Sequence, residues 1–296
     1  MTRRPLALMT VGLLASLMAC EAGDQAIPTT AELDLEYATH AQEPLTLDMY
    51  VPAESEGAPI VLHLPGGGET GAPMPVVDPL VEEGAIVVFV RAARRSAGAT
   101  TLLADGGTVA RAQADSMACA IRFARAEAAE LGSDDPVFVL SGYSWGGGLA
   151  AHVALLGKDL EARWNEYAAE GGPERKVDCA IPTGSTHVDA LVAMGSDYDH
   201  FVPAWDGPVG KYGRSYQQER DPALWEFLYD SIGAAPDLKV RLLHGTTDPI
   251  TPPEMAAEFA AVLTAAGYDV QFETFEGGHS LPVDLAVSTI TEVLSP

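Results

Sequence analysis

The segment Pro136-Val137-Phe138-Val139-Leu140-Ser141-Gly142-Tyr143-Ser144-Trp145-Gly146-Gly147-Gly148 passes from a short apolar run, through a serine flanked by glycines, into an alanine-rich stretch reaching Leu156. The apolar run predicts a strand buried on both faces, and Trp145 to Leu156 predicts a helix. Between them lies G-x-S-x-G, a tight strand-to-helix turn. A serine held on such a turn has little room beside it, so Gly142 and Gly146 keep side chains away and the Ser144 hydroxyl stands above the sheet edge. The helix beginning at Trp145 adds backbone N–H groups and a partial positive charge, both favourable to a developing oxyanion. Read as a bare pattern, the same residues make only a glycine-rich turn; their place between strand and helix points to a nucleophile.

The alternation continues on both sides of this joint. Glu32 to Tyr37 and Leu45 to Val51 alternate apolar and polar residues about a turn at 41–44, which predicts an antiparallel opening. Buried strands are predicted at Pro59 to Leu64, Ala85 to Val90, Val177 to Ile181, Leu238 to Leu243 and Val270 to Phe275. Helices are predicted at Met74 to Glu83, Thr108 to Leu131, Glu254 to Ala266 and Leu285 to Leu294. Strands alternating with helices give an α/β fold: a mostly parallel central sheet with helices on both faces. Between the sixth and seventh strands, 183–237 shows no clear strand and is expected to form a small cap. Its aromatics Tyr198, Phe201 and Trp205, with Tyr143 beside the serine, either line a substrate pocket or hold the excursion onto the domain.

A serine hydroxyl needs a base, and the base needs a carboxylate to hold its tautomer and stabilise its charged form. The C-terminal third offers both. Leu242-Leu243-His244-Gly245-Thr246-Thr247-Asp248 places an acid just past one strand, and Phe275-Glu276-Gly277-Gly278-His279 places a histidine just past the next. Both emerge at the carboxyl edge of the sheet, where Ser144 also lies. Among seven histidines, only His279 follows the acid strand in a glycine-flexed loop. His63 and His244 fit structural roles, His152 falls within the helix after the serine, and His187 and His200 line a pocket or face solvent. Glu254 and Asp237 are nearby rivals to Asp248. No H-E-x-x-H or close His/Cys cluster suggests a metal, and no cofactor is expected.

Ile60-Val61-Leu62-His63-Leu64-Pro65-Gly66-Gly67-Gly68 is an apolar strand ending in three glycines, which lets bare backbone approach a substrate carbonyl. With this loop, Gly142 to Gly146, Asp248 and His279 in that order, the chain from Leu45 to Leu294 resembles the α/β-hydrolases, closest to the esterase and lipase branch with an H-G-G-G oxyanion loop. The resemblance implies an α/β-hydrolase fold, a Ser144–His279–Asp248 triad, and an oxyanion hole from the N–H groups of Gly67, Gly68 and Trp145. Pro65 stands where that branch carries its histidine, which bears on the geometry of the loop more than on its chemistry.

The N-terminus is a separate object. Arg3 and Arg4 precede an apolar stretch from Leu6 to Ala19, too short to span a bilayer, and the chain turns polar after Cys20. Residues 1–19 therefore read as a signal peptide. Leu17-Met18-Ala19-Cys20 resembles the bacterial lipoprotein signal, in which the cysteine is lipidated; ordinary cleavage nearby is the alternative. A tether over 20–31 and a catalytic domain over 32–296 follow. Either outcome exports the protein, as a lipoprotein of the cell envelope or as a secreted bacterial protein, with membrane contact only through a lipid on Cys20. Cys119 and Cys179 then form one possible disulfide or remain buried thiols. Against the bridge, Cys119 sits roughly 200° around its helix from the apolar stripe of Met117, Ile121, Ala124 and Ala128.

Composition limits the partners. The chain has 42 Asp+Glu against 17 Lys+Arg, a formal charge of −25, and 47% hydrophobic residues. Loss of Arg3 and Arg4 with the signal would leave 15 Lys+Arg and −27. Such a surface repels phosphate backbones and excludes nucleic acid. The expected partner is a small-molecule ester, short-chain or aryl. A serine peptidase or acyltransferase of the same fold is the alternative, and a non-catalytic surface-binding lipoprotein a more distant one.

Overall fold

A computed structural model describes residues 30–66, 75–90, 107–172, 174–175, 177–198, 201–202, 226–227 and 229–295. Nine strands among them form one sheet: β1 Thr30–His40, β2 Glu43–Val51, β3 Ile60–Leu64, β4 Ile86–Val90, β5 Phe138–Tyr143, β6 Val177–Cys179, β7 Ala190–Met194, β8 Lys239–Gly245 and β9 Asp269–Phe275. The helices are α1 Val77–Glu82, α2 Gly107–Glu130, α3 Trp145–Leu156, α4 Leu160–Ala169, α5 Pro253–Ala265 and α6 Val283–Glu292. The spatial order is β6-β1-β2-β4-β3-β5-β7-β8-β9. From β4 to β9 every pairing is parallel, while β1, β2 and β6 join antiparallel at one side. This is the expected α/β-hydrolase fold.

Alternate residues of the central strands feed two cores. Leu62 and Leu64 of β3, Val88 of β4, Phe138 and Leu140 of β5 and Leu191 of β7 pack under α2, α3 and α5. Their neighbours Val61, Val87, Val139 and Val192 pack on the other face against α1 and α6. Burial on both faces is why these strands read as unbroken apolar runs. In β9, an edge strand, half-buried Val270, Phe272 and Phe275 are interspersed with exposed residues, and no position is fully buried.

Three expectations are corrected. The interval 183–237 is not strand-free: Ala190-Leu191-Val192-Ala193-Met194 is a fully buried central strand between β5 and β8. That removes the first part of the expected cap; most of the remainder, with Trp205, lies outside the described residues. The strand expected at Val177 to Ile181 is shorter and lies at the far edge, antiparallel to β1. The third concerns the N-terminal boundary, since β1 begins at Thr30, inside the stretch assigned to the tether. Cys20 lies outside the described residues.

Cys119 of α2 is bonded to Cys179 of β6, with Cα atoms 5.1 Å apart. The stripe of Met117, Ile121, Ala124 and Ala128 is only one of the faces that α2 buries. The helix is buried all round from Ala110 to Ala124, packed on the sheet, including β1, β3 and β6, and against α3 and α4, so Cys119 faces protein rather than water.

Candidate active site

The residues named from sequence converge at the carboxyl ends of three parallel strands: Ser144 follows β5, Asp248 follows β8 and His279 follows β9. Gly195 joins them at the end of β7. Ser144 has φ 54° and ψ −124°, a left-handed conformation that turns the chain from strand into helix within one residue. The turn closes only because its neighbours lack side chains. A Cβ on Gly142 would lie 2.4 Å from the Gly146 carbonyl oxygen, and one on Gly146 would lie 2.4 Å from that of Leu64. On Gly147 it would lie 1.8 Å from Ser196 Oγ.

Ser144 Oγ lies 2.9 Å from His279 Nε2, and His279 Nδ1 lies 2.7 Å from Asp248 Oδ2. The rivals Glu254 and Asp237 make no hydrogen bond or ion pair with His279 among the described contacts. Since Asp248 accepts at Nδ1, that nitrogen carries a proton, and Nε2 faces the serine as the acceptor. A proton can therefore pass from Ser144 to His279 while Asp248 stabilises the resulting imidazolium. Burial acts to raise the Asp248 carboxyl. Hydrogen bonds from His279 and from the N–H groups of Ile250 and Thr251, with the charge of His279, outweigh it and hold the carboxyl below its ordinary value. The two amides bond to Asp248 Oδ1 at 2.8 and 3.1 Å. Asp248 is buried while His279 is partly open, so the site meets solvent on the histidine and serine side.

Tyr143 donates its hydroxyl to the His279 carbonyl oxygen, and its ring lies 5.2 Å from the imidazole. A Cβ on Gly66 would lie 2.8 Å from the same ring, so Tyr143 is wedged between the loop after β3 and the histidine loop. It supports the site from beneath. Tyr198 and Phe201, the other described candidates for a pocket, are fully buried and stack on Phe259 of α5 with centroids 4.5 and 5.0 Å apart, which makes them packing residues. The N–H of Trp145 opens α3 and has no intrahelical carbonyl partner. Gly67 and Gly68 lie outside the described residues.

Other described histidines have partners of their own. His63 is buried and bonds Ser141 Oγ at 3.1 Å, and burial pushes its pKa down to about 4. His152 Nε2 accepts from the Trp164 indole at 3.1 Å. His187 lies 3.5 Å from Asp189. His244 is buried, with Nε2 3.5 Å from Asp248 Oδ2, the oxygen that also meets His279. Sequence reasoning missed Gly195 and Thr251. Gly195 has φ +55°, and a Cβ there would sit 3.7 Å from both Asp248 Oδ2 and His279 Nδ1. Thr251 bonds Asp248 Oδ2 through its hydroxyl at 2.9 Å. A legible signal for Thr251 was its place three residues after Asp248, which precedes a proline, where a carboxylate turns back onto following amides.

A family model, BD-FAE, matches residues 47–263. The chain belongs to the BD-FAE family. This is an α/β-hydrolase-like esterase family, and the protein is accordingly a carboxylesterase-type hydrolase. Comparison with curated protein sequences returns no match. Among solved structures, the chain is similar to a truncated carbohydrate esterase from gut microbiota: 19% identity, 93% of this chain and 99% of that one covered, TM-score 0.61. A thermophilic esterase of the planctomycete Thermogutta terrifontis with butyrate bound shares 22% identity over 88% of this chain and 93% of its own, with TM-score 0.59. The same esterase phosphonylated by sarin matches at 23% identity over 89% and 92%, with TM-score 0.60. At these identities the likeness is one of fold.

Proposed function

We propose that this BD-FAE member is an exported carboxylic-ester hydrolase that acts through a Ser144–His279–Asp248 triad and an acyl-enzyme on short-chain or aryl esters. Ser144 Oγ attacks the ester carbonyl carbon as His279 Nε2 takes its proton. The carbonyl oxygen becomes negative and is held by the N–H groups of Gly67, Gly68 and Trp145. Collapse of this intermediate breaks the bond to the alcohol oxygen, which leaves with the proton from His279. Water then gives a proton to His279 and attacks the acyl carbon, releasing the acid and restoring Ser144. Asp248 remains ionised throughout.

The observation that carries this proposal is the continuous contact from Ser144 Oγ through the imidazole to Asp248, at 2.9 and 2.7 Å. Butyrate in the Thermogutta terrifontis esterase supports a short acyl group. Ser144→Ala should lower kcat/KM on p-nitrophenyl acetate and butyrate by at least about 10³-fold and abolish labelling by a fluorophosphonate probe. Wild-type turnover in that variant would overturn the assignment. Turnover of matched anilides faster than of esters would favour the peptidase alternative. Export is supported by the basic and apolar run before Cys20 and by the Cys119–Cys179 bond, which persists in oxidising compartments. Mass spectrometry of the mature N-terminus would find acylated Cys20 if the protein is a lipoprotein.

A further inference from the structure

Asp248 Oδ2 meets a second, buried group of side chains besides His279. Thr251 Oγ1 lies 2.9 Å from Asp248 Oδ2, 3.0 Å from the Gly195 carbonyl oxygen and 3.2 Å from His244 Nε2. His244 Nε2 also lies 2.8 Å from the Thr251 carbonyl oxygen. A carbonyl only accepts, so His244 Nε2 carries a proton, and burial, which lowers the His244 pKa, keeps the ring neutral. The imidazole thus donates toward Thr251 and takes nothing from its hydroxyl. That leaves the single hydroxyl proton with two acceptors, a neutral carbonyl and an ionised carboxylate. The charge-assisted bond is the stronger. The proton goes to Asp248 Oδ2, the oxygen that also holds His279.

We propose that Thr251, with its hydroxyl oriented by the neutral Nε2–H form of His244, is a positioning residue that fixes Asp248 Oδ2 against His279 and moderates its charge. The proposal rests on the triad proposed above. Without the hydroxyl, Oδ2 loses one of its two donors and can swing. Its charge also falls more fully on His279, so the imidazolium becomes easier to form. The charged or titratable groups facing this cluster are Asp248, His279 and Glu254.

The test uses p-nitrophenyl butyrate and kcat/KM against pH. Thr251→Val should lower kcat about tenfold with KM little changed, from loss of a hydrogen bond to a charged group. It should also move the acid limb of the profile upward by about half a pH unit. Thr251→Ser should restore both. A second pair is independent of any folding defect in the valine variant: His244→Gln can place an amide N–H where Nε2–H was and should stay near wild type, whereas His244→Asn cannot and should behave like Thr251→Val. Wild-type kcat with an unmoved acid limb in Thr251→Val, or equal impairment of the two His244 variants, overturns the proposal. Failure of the triad itself would be distinct, because the unaltered protein would then not react with a fluorophosphonate.

Discussion

Ser144 occupies a backbone region that costs a side-chain-bearing residue about 1–3 kcal/mol, and the surrounding glycines let the fold impose it. Their intolerance differs in kind. Cβ atoms on Gly142 and Gly146 would strike backbone carbonyls, which cannot step aside, whereas on Gly147 the nearest atom is the Ser196 hydroxyl. Alanine at any of the three should cost more than about 2 kcal/mol in urea unfolding. Ser196→Gly should recover part of that loss for Gly147→Ala and none for the other two. His63 supplies a second prediction. Its folded pKa of about 4 lies below the ordinary 6.5, so between these values the unfolded chain binds more protons and stability falls as pH is lowered. The loss across the window is about 3 kcal/mol. Buried His244 acts in the same direction, while Asp248, with a lowered pKa, loses its contribution only below the ordinary carboxylate range. Unfolding free energies at pH 7 and pH 5 should therefore differ less in His63→Asn than in the parent protein. At this scale Ser144, Asp248 and His279 were legible in sequence because each follows a strand in a distinctive glycine or proline context. Gly195 was hidden because tertiary contacts create its role, and Thr251 showed only its local turn after Asp248.

At the scale of elements, most strand and helix bounds follow from apolar runs and their glycine punctuation, and α3 matches its expected Trp145–Leu156. β7 was missed because Ala190-Leu191-Val192-Ala193-Met194 is short, weak in β-branched residues and set in a segment dense with turn residues. Only its neighbours β5 and β8 make it a strand. The hairpin from β1 to β2 also turns more tightly than expected, through Ala41 and Gln42 with φ 50° and 69°. β6 is a different case: three residues long, it is held at the sheet edge by pairing with β1 and by the bond to α2. The bridge closes a loop across a sequence separation of 60, which on chain-entropy grounds stabilises by about 4 kcal/mol. Cys119→Ser with Cys179→Ser should therefore lower the unfolding free energy by a few kcal/mol. Reductant should do the same to the parent and nothing to the variant. Ester turnover per folded molecule should not change, because β6 lies at the edge of the sheet opposite β8 and β9, which carry Asp248 and His279.

The whole molecule carries its charge as a field rather than as a motif. Several of its few cations are committed to local pairs: Arg111 to Asp115, Arg122 and Arg175 to Glu161, and Arg241 to Asp269 and Glu292. These pairs act locally and leave the excess of −25 unbalanced across the surface. Only one of those 42 acidic residues, Asp248, joins the proposed triad; the rest repel one another in a compact body and less so in an expanded chain. That repulsion is a destabilising term whose range is the Debye length, about 30 Å at 0.01 M salt and about 3 Å at 1 M. Over the first decade of added NaCl the long-range part disappears, while the buried pair Arg111–Asp115 is little screened. The midpoint of urea unfolding should accordingly rise with NaCl from 0.01 M and level off by a few tenths molar. A midpoint that stays flat or falls over that range would mean that local ion pairs, and not net self-repulsion, dominate the electrostatics of the fold.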